Sequence, residues 1–295
     1  MTGTAVEATA HSFAYTRPAT IADAVAVLER YGPDARILAG GTDLIIGLRD
    51  GTIRPAVVVD LKRVGELRPL IRVDGERVIF SALATMTDVL RHPQVRRWFP
   101  ALVEAARSVG STQIRNRATL VGNICNASPA ADAAPPLLVY GAMVLARGAG
   151  VPRRIPIDDF FVSSGVTMLE RGELVTGIEL PVPSGRLGSS YVRLTRRRGT
   201  DLASVTLCVS VDGSGVTRLA YGSVGPRPYL VVDESGLLAD PSGSRERRDA
   251  LLDTMFGQAS PSPRSMRAGP AYRLAMLRVL GGRALDTAIA RLVEE

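Results

Sequence analysis

The chain has 295 residues, 46% hydrophobic and 22% charged, a composition that supplies a sizeable core and excludes wholesale disorder. Its 36 basic residues, all arginine except Lys62, give a net charge of +7. Because the arginines are spread along the chain and aromatic residues make up only 5% of it, nucleic-acid binding is disfavoured and an acidic protein partner is favoured.

The first 60 residues predict a small β-α-β-like unit with a glycine turn at its centre. A helix is predicted to begin at Ile21, after Thr20 as its cap, and to end at Gly32. Apolar runs predict strands at residues 35–39 and 56–61.

From residue 61 to residue 183 short strands and helices are interleaved. Strands are predicted at residues 78–82, 144–147, 154–156 and 174–180, and helices at residues 87–91 and 99–109. The first of these helices is predicted to close at His92–Pro93. A polar, glycine-containing stretch from residue 115 precedes an apolar half that is predicted to be helical. Residues 181–185, PVPSG, form the best linker in the chain.

The last third predicts a hairpin-containing sheet followed by helices. Strands are predicted at residues 190–195, 204–211 and 216–224, and helices at residues 247–256 and 271–292. Gly281 and Gly282 weaken the middle of the last helix. The chain is therefore predicted to be mixed α/β in three parts: 1–60, 61–183 and 184–295.

Several classes of protein are disfavoured by what the sequence lacks. It has no G-x-G-x-x-G, P-loop, H-E-x-x-H or G-x-S-x-G motif. Two histidines and two cysteines give neither a zinc-ligand cluster nor a disulfide framework. No catalytic residue and no metal site is predicted.

The sequence also shows no membrane-spanning segment and no secretory signal. Its longest apolar run, residues 133–146, contains two prolines and is too short to cross a bilayer. The first residues lack a basic flank followed by an apolar stretch. We therefore expect a cytoplasmic location.

The first candidate binding feature is the glycine turn, residues 38–44, with the sequence LAGGTDL. Adjacent glycines let the backbone adopt positive φ and approach a ligand closely. Consecutive N–H groups in such a turn form a concave site for an anion such as a pyrophosphate. A plain β-turn between two strands is an equal alternative from this motif alone.

The second candidate is the polar segment, residues 115–132, which is dense in short polar side chains yet flanked by apolar sequence. One interpretation is that Thr119, Asn123, Ser128 and Asp132 face one polyhydroxylated ligand. Ser128 and Asp132 would also suit a helix start, and Asn123 a tight turn. The ligand interpretation is favoured because polar residues in a buried segment need partners.

Together these features resemble the FAD-binding subunit of the molybdenum hydroxylases, the family of xanthine dehydrogenase and aerobic carbon monoxide dehydrogenase. Six pieces match in order and spacing over about residues 13 to 292. They are LAGGTDL at 38–44, SALATMTDVLRHP at 81–93, RNRATLVGN…NASPAAD at 115–132, GELVTGIELP at 172–181, RRRGTDLASV at 196–205 and AYRLAMLRVLGGRAL at 271–285.

The resemblance implies a fold and a set of cofactor contacts. The fold is a two-part FAD-binding domain of the p-cresol methylhydroxylase (PCMH) type, followed by a C-terminal antiparallel sheet with helices. The implied FAD contacts are Leu38, Ala39, Gly40, Gly41, Thr42, Asp43, Leu44, Thr119, Gly122, Asn123, Ser128 and Asp132, with Val175 and Asp201 as weaker candidates. All of them would bind and tune the flavin, which carries the chemistry.

The resemblance also implies a function. The chain would be the FAD-binding electron-transfer subunit of a molybdenum hydroxylase, an oxidoreductase. Electrons would pass from iron–sulfur clusters on a partner subunit through FAD to NAD, oxygen or another acceptor. A molybdopterin-binding large subunit would be the other partner, in a paired heterotrimer. Two cysteines cannot hold two such clusters.

The sequence departs from the family pattern at a few positions. Val121 stands where the family usually has the first of two glycines before Asn123, so the approach of the backbone to the cofactor is in question. Ser265, Gly269 and Ala271 replace an acidic residue, a serine and a glutamate in the last segment. No histidine occurs in the glycine turn, so non-covalent FAD is expected.

Two other functions stay open from the residues alone. One is a free-standing FAD-dependent oxidoreductase, for which His92 and Tyr191 offer poor evidence of a base. The other is a flavin-less scaffold subunit. Cys125 is predicted to be a small buried residue, with a redox role as the alternative.

Overall fold

The computed structural model describes residues 11–197 and 199–294. Arg198, within the matched segment 196–205, and residues 1–10 of the predicted first part lie outside the described residues. The described chain forms four β-sheets around two hydrophobic cores.

The N-terminal part is a three-stranded parallel sheet with two helices. Its elements are β1 (Ala14–Thr16), α1 (Ile21–Tyr31), β2 (Ala35–Leu38), α2 (Leu44–Arg49) and β3 (Val57–Asp60). Strand β3 lies between β1 and β2 and runs parallel to both. The glycine turn therefore joins a strand to a helix, and the alternative of a turn between two strands is wrong.

Helix α1 forms for the local reasons that its sequence indicates. The Thr20 hydroxyl accepts a hydrogen bond from the Asp23 N–H at 3.0 Å and so caps the helix. Its inner face, which includes Val25 and Leu28, is buried. Gly32, at φ 50°, ends the helix in a backbone conformation that favours glycine.

The second part is a five-stranded antiparallel sheet covered by short helices. Its strands are β4 (Ile71–Asp74), β5 (Arg77–Ser81), β6 (Met143–Arg147), β7 (Arg153–Pro156) and β10 (Leu174–Pro181), with a separate hairpin of β8 (Phe161–Ser163) and β9 (Val166–Thr167). Its helices are α3 (Met86–Arg91), α4 (Pro93–Trp98), α5 (Pro100–Ser108), α6 (Thr112–Arg115), α7 (Leu120–Cys125), α8 (Ala134–Val139) and α9 (Ile157–Phe160). The strand order is β4-β5-β10-β6-β7, so β10 is central.

Two local predictions differ from the structure. Pro93 does not only close α3 but opens α4, because proline is tolerated in the first turn of a helix. Residues 120–125 of the polar segment form α7, which Thr119 caps, although a helix is predicted only in the apolar half that follows the segment. The very short elements β8, β9, α6 and α9 were not predicted.

The C-terminal part is a four-stranded antiparallel sheet with two helices. Its elements are β11 (Leu187–Leu194), β12 (Val205–Asp212), β13 (Thr217–Gly222), β14 (Tyr229–Asp233), α10 (Arg245–Met255) and α11 (Pro270–Glu294), and the strand order follows the chain. Helix α11 is continuous through Gly281. A Cβ at Gly281 would lie 2.7 Å from the Phe256 ring, so glycine permits close packing there.

The four-stranded sheet is shared between the two hydrophobic cores. Cys208 and Ala220 belong to the core of the first two parts, whereas their neighbours Leu207 and Leu219 belong to the C-terminal core. Successive strand residues point to opposite faces, which explains this alternation. The inner face of the sheet consequently lies against the residues that follow the polar segment.

Candidate functional site

The glycine turn packs backbone against backbone on the polar segment. A Cβ at Gly40 would lie 2.1 Å from the Arg117 carbonyl oxygen, so no larger residue fits there without movement of the main chain. Gly41 has φ 79°, the left-handed region that favours glycine. Both glycines are therefore required by the observed geometry.

The main chain of the glycine turn presents unused donors. Among the described residues, the four successive amides from Gly40 to Asp43 donate no hydrogen bond. The turn is half-buried except at Asp43, which is exposed. Consecutive unpaired N–H groups in a turn bind anions, so this backbone is suited to a phosphate or pyrophosphate.

At the start of the polar segment, the first residues of α7 lie beside the first residues of α3. The Met86 N–H donates to the Ala118 carbonyl at 2.8 Å, and the Leu120 N–H donates to the Ala84 carbonyl at 2.9 Å. The Thr119 hydroxyl accepts from the Gly122 N–H at 3.0 Å and caps α7. This cap occupies Thr119, which sequence reasoning assigned to the cofactor.

Val121 and Gly122 occupy different environments in α7. Val121 is 4% exposed and packs in the hydrophobic core. A Cβ at Gly122 would lie 2.8 Å from the Thr119 hydroxyl, so this glycine permits the cap. The departure at Val121 therefore adds a core side chain and does not add bulk at the surface of the segment.

The side chains of Asn123 and Ser128 differ in whether the protein provides a hydrogen-bond partner for them. The Asn123 Oδ1 atom is buried and accepts no hydrogen bond from any described residue. The Ser128 hydroxyl accepts from the Ala130 N–H at 3.2 Å, within a local turn. An unpaired buried acceptor is costly unless a ligand or water donates to it, so Asn123 is the better ligand candidate.

The end of the polar segment is held by side chains of β11. The Tyr191 hydroxyl donates to Asp132 Oδ1 at 2.6 Å, and Arg193 Nη1 lies 3.1 and 3.0 Å from Oδ1 and Oδ2. Burial raises the pKa of Asp132, while the Arg193 charge and the Tyr191 hydrogen bond oppose that rise. The carboxylate is thus fixed in orientation.

Pro129, near the end of the polar segment, is also held by the C-terminal part. The Ser223 N–H donates to the Pro129 carbonyl at 2.6 Å, and a Cβ at Gly222 would lie 2.7 Å from the same oxygen. Ala127 and Ser223 have φ of 45° and 66°, a strained conformation that persists where surrounding contacts determine it. The C-terminal part therefore forms one wall at this end of the segment.

Among the described residues, Val175 and Asp201 make no hydrogen bond or ion pair with the glycine turn. The Val175 side chain is 3% exposed in the core, next to an irregularity in the pairing of β10. The Asp201 carboxylate is paired with Arg196 at 3.0 Å, and this hydrogen bond holds the pKa of Asp201 below its usual range. The structure links Asp201 to Asp132 through Arg193, whose Nη2 donates to the Asp201 carbonyl at 2.7 Å.

Sequence reasoning missed Arg193 and gave Tyr191 little weight. These two residues are two positions apart on β11, so they share one face of the strand. That spacing was the available signal, but their partner Asp132 lies 61 residues before Arg193. Nothing local in the sequence indicates such a contact.

Other chemistry receives no support from the described residues. Cys125 is half-buried and not fully buried as predicted; desolvation raises the pKa of its thiol to about 12, so the thiol is protonated near neutral pH. Within residues 11–197 and 199–294, no group of His, Cys, Asp or Glu could hold a metal ion. None of the described helices is both long and apolar enough to cross a membrane.

These features fit a phosphate-bearing organic cofactor. The glycine turn offers a row of free amides with no room for a Cβ at Gly40, and the polar segment offers the unpaired acceptor of Asn123 and the oriented carboxylate of Asp132. Fold and site together are those of a mixed α/β protein suited to binding a phosphate-bearing cofactor.

The comparisons with known proteins identify the family. Residues 11–183 match the FAD binding domain in molybdopterin dehydrogenase, and residues 190–288 match the CO dehydrogenase flavoprotein C-terminal domain. The first match covers more than half of the chain, which belongs to this family.

Individual relatives agree along almost the whole chain. The carbon monoxide dehydrogenase medium chain of Hydrogenophaga pseudoflava is 30% identical over 283 residues, 95% of this chain and 98% of the relative. The nicotine 6-hydroxylase medium subunit of Paenarthrobacter nicotinovorans is 32% identical over 281 residues, 94% and 97% of the two chains. A solved carbon monoxide dehydrogenase of H. pseudoflava has a TM-score of 0.85 at 29% identity, with 95% and 98% covered.

The resemblance predicted from six segments is therefore confirmed, and so are the mixed α/β fold and the FAD cofactor. The chain is the FAD-binding electron-transfer subunit of an oxidoreductase of this family. The individual site residues, the three-part division and the cytoplasmic location stay predictions.

Proposed function

We propose that this chain is the subunit through which a multi-subunit molybdenum hydroxylase releases electrons to NAD, oxygen or another acceptor. The observation that carries the proposal is the glycine turn, where four successive amides have no acceptor among the described residues. The turn is in contact with the polar segment at Arg117. Such a cradle suits the pyrophosphate of FAD.

The protein's own part is to bind and orient. The amides of the glycine turn would hold the pyrophosphate, and the Asn123 Oδ1 and Asp132 carboxylate would accept from hydroxyl or N–H groups of the cofactor. Bound FAD would supply the electron-accepting and electron-donating chemistry of its isoalloxazine ring. No histidine lies in the glycine turn, which supports non-covalent binding.

Partner subunits are part of the proposal. Several relatives are medium chains or medium subunits by name, which supports an assembly with an iron–sulfur subunit and a molybdopterin-binding large subunit in a paired heterotrimer. Iron–sulfur clusters need four cysteine ligands each, and this chain has two cysteines. The division into 1–60, 61–183 and 184–295 belongs to the same proposal, and the two family matches support its second boundary.

The proposal is tested on the complex purified through a tag on this chain. Its visible spectrum should show flavin bands near about 370 and 450 nm, and acid precipitation should release all of the flavin to the supernatant. Two further subunits should co-purify. A flavoprotein without partners would indicate a free-standing oxidoreductase, and a flavin-free complex would indicate a scaffold subunit.

The pyrophosphate assignment is tested by Gly41→Leu, with Gly75→Leu as a matched control. Both glycines have positive φ, 79° and 58°, so either leucine is strained by about 1–2 kcal/mol. A Cβ added at Gly41 would lie 2.8 Å from the Leu38 side chain, whereas a Cβ added at Gly75 would meet no atom within 4 Å. We expect Gly41→Leu to lose its flavin and Gly75→Leu to keep it. Full flavin content in Gly41→Leu would remove the assignment.

A further inference from the structure

A cavity lies where the chain passes from the second part to the C-terminal part. It has a volume of about 400 Å³ and is lined by the end of α4 and by the segment that joins β10 to β11. We call it the linker cavity; its lining residues are Arg97, Trp98 and residues 183–187. None of them belongs to the glycine turn or to the polar segment, so the linker cavity is not part of the candidate cofactor site.

The walls of the linker cavity are fixed by contacts with the rest of the chain. Just before the lining segment, the Val182 N–H donates to the Glu76 carbonyl at 2.8 Å. Within the segment, the Arg186 carbonyl accepts from the Gly213 N–H at 3.1 Å. On the side of α4, Trp98 is half-buried and packs against the hydrophobic core. The linker cavity is therefore held in place from both sides.

The charged side chains that line the linker cavity are both arginine. Arg97 and Arg186 are exposed, and neither forms an ion pair with a carboxylate among the described residues. The large apolar side chains of the lining are those of Trp98, Pro183 and Leu187, all half-buried. Two positive charges without a partner beside an apolar surface suit a carboxylate-bearing chain with an apolar group next to it.

The placement of polar groups favours a protein segment over a free small molecule. Small-molecule sites carry a few precisely placed polar groups inside the pocket, yet no unpaired buried polar atom of the described residues belongs to the lining. An apolar patch with charged residues at an exposed rim is typical of protein interfaces, where tryptophan and arginine contribute much of the binding energy. The net charge of +7 favours an acidic partner.

We propose that the linker cavity is a docking site for an acidic segment of a partner subunit. Carboxylates of that segment pair with Arg97 and Arg186, and an apolar side chain beside them contacts Trp98. The inference rests on the proposed function, because it assumes that the chain assembles with other subunits. The two family matches cover residues 11–183 and 190–288, so the cavity lies at the junction of the matched domains, where binding sites are frequent.

The test is the dissociation of the complex, purified through a tag on this chain, during serial dilution and size-exclusion chromatography. The double variant Arg97→Glu with Arg186→Glu places two like charges against the acidic segment. The concentration at which the partner subunits dissociate should rise about 100-fold. Flavin content per chain should equal that of the wild type, because both side chains are exposed and lie outside the candidate cofactor site.

Arg96→Glu with Arg264→Glu is the matched control, because it changes the net charge by the same amount. Arg96 precedes Arg97 on α4, and both control arginines are exposed and do not line the cavity. This variant should dissociate as the wild type does. Ser184→Trp is a second route that leaves the charge unchanged; its ring would occupy the cavity and should weaken association about tenfold. Equal weakening in the control and in the double variant would overturn the inference, since net charge alone would then explain both.

Trp98 gives a direct reading of the linker cavity, because it is the one tryptophan in the sequence. The purified full chain is titrated with a hexaglutamate peptide and, separately, with inorganic phosphate, while Trp98 emission is recorded. Hexaglutamate should change the emission of the wild type and leave that of Arg97→Glu with Arg186→Glu unchanged. A response to phosphate as strong as that to the peptide would identify a site for free anions and would overturn the docking role.

The outcomes separate the inference from the proposed function. Partner subunits that co-purify with the wild type and dissociate equally from the double variant would overturn the role of the linker cavity alone. A wild-type chain that carries flavin but co-purifies with no other subunit would overturn the proposed assembly and this inference with it.

Discussion

The two ends of the polar segment are fixed by different kinds of interaction. At the start, the Arg117 carbonyl lies where a Cβ of Gly40 would be, and main-chain hydrogen bonds join residues 118 and 120 to residues 86 and 84. At the end, Asp132 is held by the side chains of Tyr191 and Arg193 from another part of the chain. The start depends on small residues and close backbone contact, whereas the end depends on charge.

This difference determines how each end should respond to substitution. A Cβ added at Gly40 would lie 2.1 Å from the Arg117 carbonyl oxygen, so a change at the start should act through steric overlap. A charge-assisted contact can be weakened in steps, by changing the charge or the pH.

The largest effect is expected from Gly40→Ala at the start of the polar segment. The new Cβ would overlap the Arg117 carbonyl oxygen, which belongs to the main chain and cannot rotate away. Overpacking of this kind costs about 3 kcal/mol, and separation of the glycine turn from the segment should weaken FAD binding by about 100-fold. Flavin titration and chemical denaturation of the purified complex measure the two effects.

Gly65→Ala is the control for this substitution, because a Cβ at Gly65 would meet no atom within 4 Å. It should leave flavin content unchanged. Normal flavin affinity in Gly40→Ala would show that the turn and the segment can separate without loss of the site, and the contrast between the two ends would then fail.

Much of the fold could be predicted because its signals are local. Helix α1 has its cap at Thr20 and its stop at Gly32, and the strands β10 to β13 have apolar runs bounded by turn residues. The glycine turn was recognisable from adjacent glycines. The short strands β8 and β9 were not predicted, since two or three residues carry too little periodicity.

The candidate site was predictable at its start and not at its end. The unpaired amides follow from the glycine turn itself, but the contact between Arg193 and Asp132 joins residues 61 positions apart. Thr119 and Asp132 are both predicted from polarity and resemblance; in the structure the Thr119 hydroxyl accepts from the Gly122 N–H, and Arg193 fixes the orientation of the Asp132 carboxylate. Polarity marks residues that need a partner without indicating which partner they have.

A smaller effect is expected from Val121→Gly in the middle of the segment. The substitution would restore the glycine that the family usually has, but the Val121 side chain on α7 is buried in the hydrophobic core. Loss of the buried side chain and the flexibility of glycine should lower the free energy of unfolding by about 2 to 3 kcal/mol. Flavin affinity should stay the same. Tighter FAD binding in this variant would show that Val121 obstructs the site.

Val151→Gly is the control for Val121→Gly, because Val151 is 85% exposed. Its free energy of unfolding should change by less than about 1 kcal/mol. A comparable loss at both positions would mean that burial in α7 is not the reason for the effect at Val121.

A second contrast concerns two buried carboxylates, Asp60 and Asp132. Asp60 ends β3 opposite Leu38, where the glycine turn begins. Burial alone would raise the pKa of Asp60, but hydrogen bonds from Lys62 and Tyr15 and the Lys62 charge hold it below the usual range. At Asp132 burial prevails and raises the pKa. The two carboxylates should therefore contribute to stability with opposite dependence on pH.

The smallest effect is expected from Asp60→Asn. The Lys62 ammonium lies 2.7 Å from Asp60 Oδ1, and loss of the charge should cost about 1 to 2 kcal/mol at neutral pH. Because the folded-state pKa is lowered, the stability that the carboxylate adds is fully present above its unfolded value of about 3.9. It is lost as the pH falls through the folded-state value. Denaturation of both proteins from neutral to acidic pH measures this convergence.

Asp74→Asn distinguishes the buried pair from an ordinary surface pair. Asp74 is 64% exposed at its side chain and lies 3.7 Å from Arg72, so its loss should change stability by less than about 0.5 kcal/mol at any pH. If Asp60→Asn behaved in the same way, the carboxylate at the base of the glycine turn would be no more constrained than a surface group. A difference between wild type and Asp60→Asn that grew toward acidic pH would reverse the inferred direction of the pKa shift. Convergence of the two curves at low pH would instead show that charge, and not shape, accounts for what Asp60 contributes at the end of β3.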